Sequence, residues 1–346
     1  MKSVILPSAL LTLVFSLPLP ATAQTLTRTF VSSTGVDSNP CTIAQPCATF
    51  ARAYGETVPG GIVAALDPGK YGPLTIDGSI TINGNGWAAI TGPASGTAIT
   101  IYSGSVTLIG LEIDGANASY SGVDYVQGES LTITNCLVQG FAKDSNGDPT
   151  TGNGILIEPT AYKNIFVITN TIVSQNANVG LYYRPPSGGT DDYISIDHVT
   201  ATANGFGIGI DSSLIGSGIT YVAISNSNVS NNSSTGISIV SGNSFSIDNT
   251  TISGNTPGMT ITGASGLPNV SINNATVSSN ADSGIVASGD PNVVLGRSTI
   301  TANGAYGVNN QTTHNPTQFY TYGDNRINLN YIGNVNGTAL KPLAVQ

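Results

Sequence analysis

Along most of this chain, apolar residues alternate with polar ones over short stretches, as in Ile237-Ser238-Ile239 and Phe245-Ser246-Ile247. A period of two predicts strands rather than helices. The stretches recur in a fixed frame. One copy runs Ile168-Thr169-Asn170-Thr171-Ile172-Val173-Ser174-Gln175-Asn176, followed by Gly180-Leu181. Further copies begin at Ile196, Ile224, Ile247, Ile272 and Leu295, spaced by 28, 28, 23, 25 and 23 residues. Looser copies begin at Ile82, Leu108 and Ile133, 26, 25 and then 35 residues apart from the next, the last step lengthened by an insertion. Self-similarity at such periods predicts a solenoid. The Leu-x-x-Leu-x-Leu framework of leucine-rich repeats is absent, and the unit is too short for a four-stranded propeller blade. Three short strands per turn with Gly and Asn at the bends predict an all-β fold: a parallel β-helix of roughly nine to ten coils.

Parallel strands stack about 4.8 Å apart, so each repeat position becomes a column along the axis. Ile and Val columns fill the interior. One polar column holds Asn135, Asn170, Asn226, Asn249 and Asn274, interrupted by His198 and Arg297, and another holds Asn176, Asn204, Asn232, Asn255, Asn280 and Asn303. Asn tolerates the left-handed backbone of a tight bend, and stacked amides hydrogen-bond along a column. Both columns read as structural.

With these asparagine columns, residues 28 to 330 resemble the pectin-lyase-like superfamily of right-handed parallel β-helix proteins. The leading segment, Ser38-Asn39-Pro40-Cys41 through Pro46-Cys47-Ala48-Thr49-Phe50-Ala51-Arg52-Ala53 and then Asp67-Pro68-Gly69-Lys70-Tyr71, looks like the opening module of many secreted bacterial members. The resemblance implies a short helix near 48 to 54 that plugs the first coil, with Phe50 and Tyr54 on its apolar face.

The ends and the charge refine this picture. Residues 1–23 have the basic start, apolar run and Ala21-Thr22-Ala23 site of a secretory signal peptide. The expected layout is then an opening and capping segment over 24–78, coils over 79–318, and a C-terminal cap and tail over 319–346. A secreted, extracellular monomer with no membrane span follows. Cys41 and Cys47 flank a five-residue loop and are expected to pair, which leaves Cys136 as a small buried residue. Ten Lys plus Arg against 19 Asp plus Glu argue against a nucleic-acid groove.

Fourteen charged residues lie between Glu112 and Asp211, and only seven in the following 135 residues. Two insertions, 140 to 153 and 185 to 193, fall in the same region, where loops on a rigid scaffold tend to carry binding. Counting four residues past Gly154, Gly180 and Gly207 gives Glu158, Arg184 and Asp211 as outward-facing neighbours on successive coils. Asp124 and Tyr182 fall on the same wall. An Arg fork suits a sugar carboxylate. Resemblance to pectate lyases implies a calcium site, for which Asp124, Glu158, Asp191, Asp192 and Asp211 are the available ligands, with Arg184 as catalytic base and Tyr182, Glu158 and Lys143 contacting substrate. The polygalacturonase and pectin methylesterase patterns are absent, and His198 and His314 are the only histidines. The reading is a protein that binds an extracellular acidic polysaccharide and cleaves it by β-elimination. The alternative is a non-catalytic surface, adhesive or matrix protein.

Overall fold

The computed structural model describes residues 26–344 except 119, 161–162, 189–190, 216–217, 243, 264–266 and 314–317. Residues 1–23, expected to be a signal peptide, and His314 therefore lie outside the described residues. The chain forms a β-solenoid with parallel pairing throughout: a broad sheet of 22 strands and a narrow sheet of 11. Eleven stacked strands bound ten turns, in line with the repeat count. Pairing is in register from coil to coil. Ile168 sits beside Ile133 and Ile196, and Ile224 beside Ile196 and Ile247, so the repeat frame read from the chain is the strand register. Every inward position of these strands is fully buried, and the interior is one continuous apolar core.

The two asparagine columns divide their work. The outer column, Asn135, Asn170, His198, Asn226, Asn249, Asn274 and Arg297, has φ between 46° and 54° at every position. It makes a left-handed corner. At the inner column the left-handed residue is the one before each asparagine: Gln175, Ala203, Asn231, Gly254, Ser279, Ala302. The asparagines themselves point inward and bond along the axis. Asn204 Nδ2 donates to Asn232 Oδ1 at 3.1 Å and to the Val173 carbonyl at 3.0 Å, and the pattern continues through Asn303 to Asn330. Past residue 318, Phe319–Thr321, Arg326–Asn328 and Gly333–Gly337 make a further coil, the last strand paired beside Tyr306–Thr312.

The only helix among the described residues is Phe50–Gly55, which starts two residues after the expected 48 because Thr49 is its N-cap, its Oγ1 accepting from the Arg52 amide. Phe50 and Ala53 are buried, and the Phe50 ring packs on Tyr71 at 5.2 Å. Tyr54 is only partly buried, its hydroxyl bonded to Asp77. No described helix is long and apolar enough to cross a membrane.

Cys41 and Cys47 form the expected disulfide, and Cys136 is free and buried. Burial pushes its thiol up to about 11. The thiolate is the reactive form. Native protein is therefore expected to resist iodoacetamide near neutral pH and to take label at Cys136 only after unfolding, as read by mass spectrometry of a digest. Label on Cys136 in the native state would contradict this placement.

Candidate functional site

On the narrow sheet, Leu156 pairs with both Asp124 and Tyr182, and Tyr182 pairs with Gly209. One residue past the last paired positions, Ile157, Tyr183 and Ile210, the continuing register places Glu158, Arg184 and Asp211 side by side, with the Arg184 amide donating to the Ile157 carbonyl at 2.9 Å. The predicted acid, guanidinium, acid column therefore exists. Arg184 Nη1 stands 3.8 Å from Glu158 Oε1, and both side chains are about 30% exposed. At that exposure and distance the pair adds little to stability, on the order of 0–1 kcal/mol, so the guanidinium is available to a ligand.

Tyr182 packs over Gly209. A Cβ at 209 would stand 3.1 Å from its ring Cδ2, so a side chain there would displace the ring. Beside it lies a cleft of about 160 Å³, lined by Pro149, Asn178, Phe206, Asp211 and Ser238 among others. The 140 to 153 insertion folds back onto this wall: Asn178 Nδ2 donates to the Pro149 and Thr151 carbonyls at 3.0 and 3.2 Å, and Asn153 Nδ2 donates to the Pro149 carbonyl. Leu156, which stands between Asp124 and Tyr182 on the outward face, is almost wholly buried.

Burial sets the electrostatics of the acids. Asp124 Oδ1 is buried without a hydrogen-bond partner among the described residues, and burial raises the carboxyl to about 6. Glu158 is also raised, first by burial and then by Asp124, against the pull of Arg184. Burial likewise raises the Tyr182 hydroxyl, and Asp211 adds to it. Asp148 enters the same field from the insertion: the Thr150 amide and hydroxyl hold it low, and Arg184 lowers it further. Asp148 had no place among the sequence candidates, because only the folding back of its loop brings it near Arg184.

The proposed metal ligands do not gather. Among the described residues, no three His, Cys, Asp or Glu side chains stand close enough to hold an ion. Asp192 is fully buried, accepting from the Asn164 amide and Nδ2 and from Tyr183 Oη. Its neighbour Asp191 is exposed and accepts from the Ile219 amide. Asp211 Oδ1 accepts from the Ser213 amide. A calcium ion needs about 6–8 oxygen ligands, and this arrangement does not fit one. Lys143 is exposed on the insertion, its stem over Gly152, and joins no ion pair among the described residues.

Residues 207–341 match the family model described as right handed beta helix region. Among solved structures, the chain resembles pectate lyase Pel9A at 15% identity with a TM-score of 0.53, covering 87% of this chain and 81% of that one. It resembles the A-module of the Azotobacter vinelandii mannuronan C-5 epimerase AlgE6 at 13% identity and a TM-score of 0.57, over 84% of this chain and 90% of the other. The AlgE4 A-module of the same organism gives 14% identity and 0.53, over 86% and 93%. No curated protein matches the chain at the level of sequence. At these identities the likeness shows the fold.

Proposed function

We propose that this pectin-lyase-like right-handed β-helix binds a uronate-bearing polysaccharide along the outer wall of its narrow sheet. The observation that carries the reading is the in-register column Glu158, Arg184, Asp211 beside Tyr182. A guanidinium forms paired hydrogen bonds with a carboxylate, and a tyrosine ring accepts the apolar face of a sugar. The flanking acids keep the wall from holding polyanions indiscriminately and orient the one cation. Glycan-acting enzymes among the structural neighbours support this class of ligand.

The wall also offers a proton acceptor, and it is not Arg184. Guanidinium groups hold their protons throughout the ordinary pH range. Asp124, raised to about 6 and partnerless at one oxygen, is the group suited to take a proton near neutrality. In β-elimination, its carboxylate would remove the hydrogen on the carbon next to the sugar carboxylate. The bond from the neighbouring carbon to the bridging oxygen would then break, a carbon–carbon double bond would form, and the departing oxygen would take a proton from water. Arg184, paired to the sugar carboxylate, would stabilise the charge that builds up there.

The test is binding and turnover on polygalacturonate and alginate. Arg184→Ala is expected to weaken binding by about 10- to 100-fold, the size of a lost charge-assisted hydrogen bond. Asp124→Asn is expected to leave binding intact and abolish unsaturated product. Turnover in the parent chain should rise with pH through about 6, where Asp124 loses its proton. Binding unchanged in Arg184→Ala would overturn the assignment of the wall. Binding without product at any pH would leave it as a non-catalytic glycan surface.

A further inference from the structure

A second surface, on the broad sheet, has different chemistry. Strands Tyr193–Asp197, Tyr221–Ser225 and Ser244–Asp248 stack in register, and their outward positions enclose a trough of about 400 Å³. This lies within the range of ligand sites, about 300–1,000 Å³. Tyr193 and Tyr221 form one side, their rings stacked at 5.0 Å and 9°. Both stay largely open to water, at 51% and 41%. The next position in their column is Ser244, so the ring face of Tyr221 turned away from Tyr193 looks over a small side chain and is free to take a ligand. Val167, Ser195, Ala223 and Ser246 form the floor, with Ile165 beside Tyr193 at one end, so the lining is mainly apolar with serine hydroxyls set into it.

Past the trough, further along the same outward face, the surface is acidic and ordered. Asp197 is two residues beyond Ser195 on the same face, about 6.6–6.8 Å along the strand. Its carboxylate accepts from Ser225 Oγ at 2.6 Å and Asn226 Nδ2 at 2.8 Å, and pairs with His198 Nδ1 at 2.7 Å. These contacts hold it ionised, at about 2. The pairing engages His198 Nδ1 and leaves the ring largely exposed. Asp248 stands two coils on in the same column as Asp197. No Lys or Arg lines the trough.

We infer that this trough is a second carbohydrate site, specific for a neutral glycan. A sugar ring presents an apolar C–H face and a rim of hydroxyls, which match an open tyrosine face and a line of carboxylate, serine and imidazole partners. A polyuronate would bring its carboxylates against Asp197 and Asp248 with no cation to receive them, so charge separates this site from the Arg184 wall. The two sites stand on different sheets and different residues, and the inference holds or fails independently of the narrow-sheet reading.

The experiment is affinity electrophoresis of the full chain in gels containing xylan, galactomannan or mixed-linkage β-glucan, with polygalacturonate as the anionic comparison. At least one neutral polymer is expected to retard the chain. Tyr221→Ala is expected to weaken that retardation about tenfold, the size of one lost ring contact, and Tyr193→Ala with Tyr221→Ala to abolish it. Tyr221→Phe should retain it, and Arg184→Ala should leave it unchanged. Circular dichroism checks that each variant is folded. The inference is overturned if no neutral polymer retards the chain, or if a folded double-tyrosine variant is retarded like the parent. It is equally overturned if the tyrosine variants lose polygalacturonate binding. An apolar fluorescent dye that binds the parent and not the double variant, with no glycan retained, would assign the trough to an apolar partner and also overturn it.

Discussion

Asn255→Ala is expected to lower the stability of the folded coil by about 2–6 kcal/mol, read as a fall in the denaturant or thermal midpoint. The magnitude follows from how much of the inner column one side chain completes. Asn255 Oδ1 accepts from the backbone amide and the Nδ2 of Asn232, at 3.0 and 2.9 Å. Its Nδ2 reaches the Val229 carbonyl at 3.0 Å and Asn280 Oδ1 at 3.2 Å. Both Asn232 and Asn255 are almost wholly buried. Truncation strands at least two buried polar groups, each at a cost of about 1–3 kcal/mol. Asn249→Ala in the outer column is the control. Its side chain is exposed and its main role is φ of 46°, so the expected loss is about 1–2 kcal/mol, the strain of a left-handed alanine. Equal losses at 249 and 255 would show that the two columns do not divide their work as described.

Gly236→Ala is expected to destabilise the coil by a comparable amount, for a steric reason. A Cβ at 236 would lie 2.5 Å from the Gly258 carbonyl oxygen and 2.7 Å from Asn255 Nδ2. Neither neighbour can yield freely, since one is backbone and the other is fixed in the inner column. Overpacking at a rigid site costs about 1–3 kcal/mol, and here the displaced amide also strains its hydrogen bonds. The same crowding recurs at Gly207, Gly258 and Gly284. Combining Gly236→Ala with Asn255→Ala should cost less than the sum of the two, because removing the amide vacates part of the space the methyl needs. A fully additive double variant would argue that the two positions are not in contact.

The repeat made most of the fold legible. Strand register, the buried columns and the column Glu158, Arg184, Asp211 all follow from counting along the chain, since a parallel coil turns sequence period directly into spatial neighbourhood. The same arithmetic placed Asp124 and Tyr182 on one wall, two coils apart. It could not show that Asp191 and Asp192 part company, one exposed and one sealed inside beneath Tyr183, because they sit in an insertion that follows no repeat. Nor could it show that the stacked tyrosines border an open trough, since Tyr193 and Tyr221 are ordinary outward positions whose meaning depends on the small residues beside them.

By itself, then, the sequence determined which residues face inward, which stand next to one another on successive coils, and where the chain bends, because each of these depends on local period and on stacking at a fixed rise. Tertiary structure alone decided the chemistry of the surfaces. Burial raises the Asp124 carboxyl to about 6, and the fold of the 140 to 153 insertion brings Asp148 into the field of Arg184. Proton affinity and ligand access depend on solvent exclusion and on distances between loops, and these are properties of the folded surface rather than of any repeat along the chain.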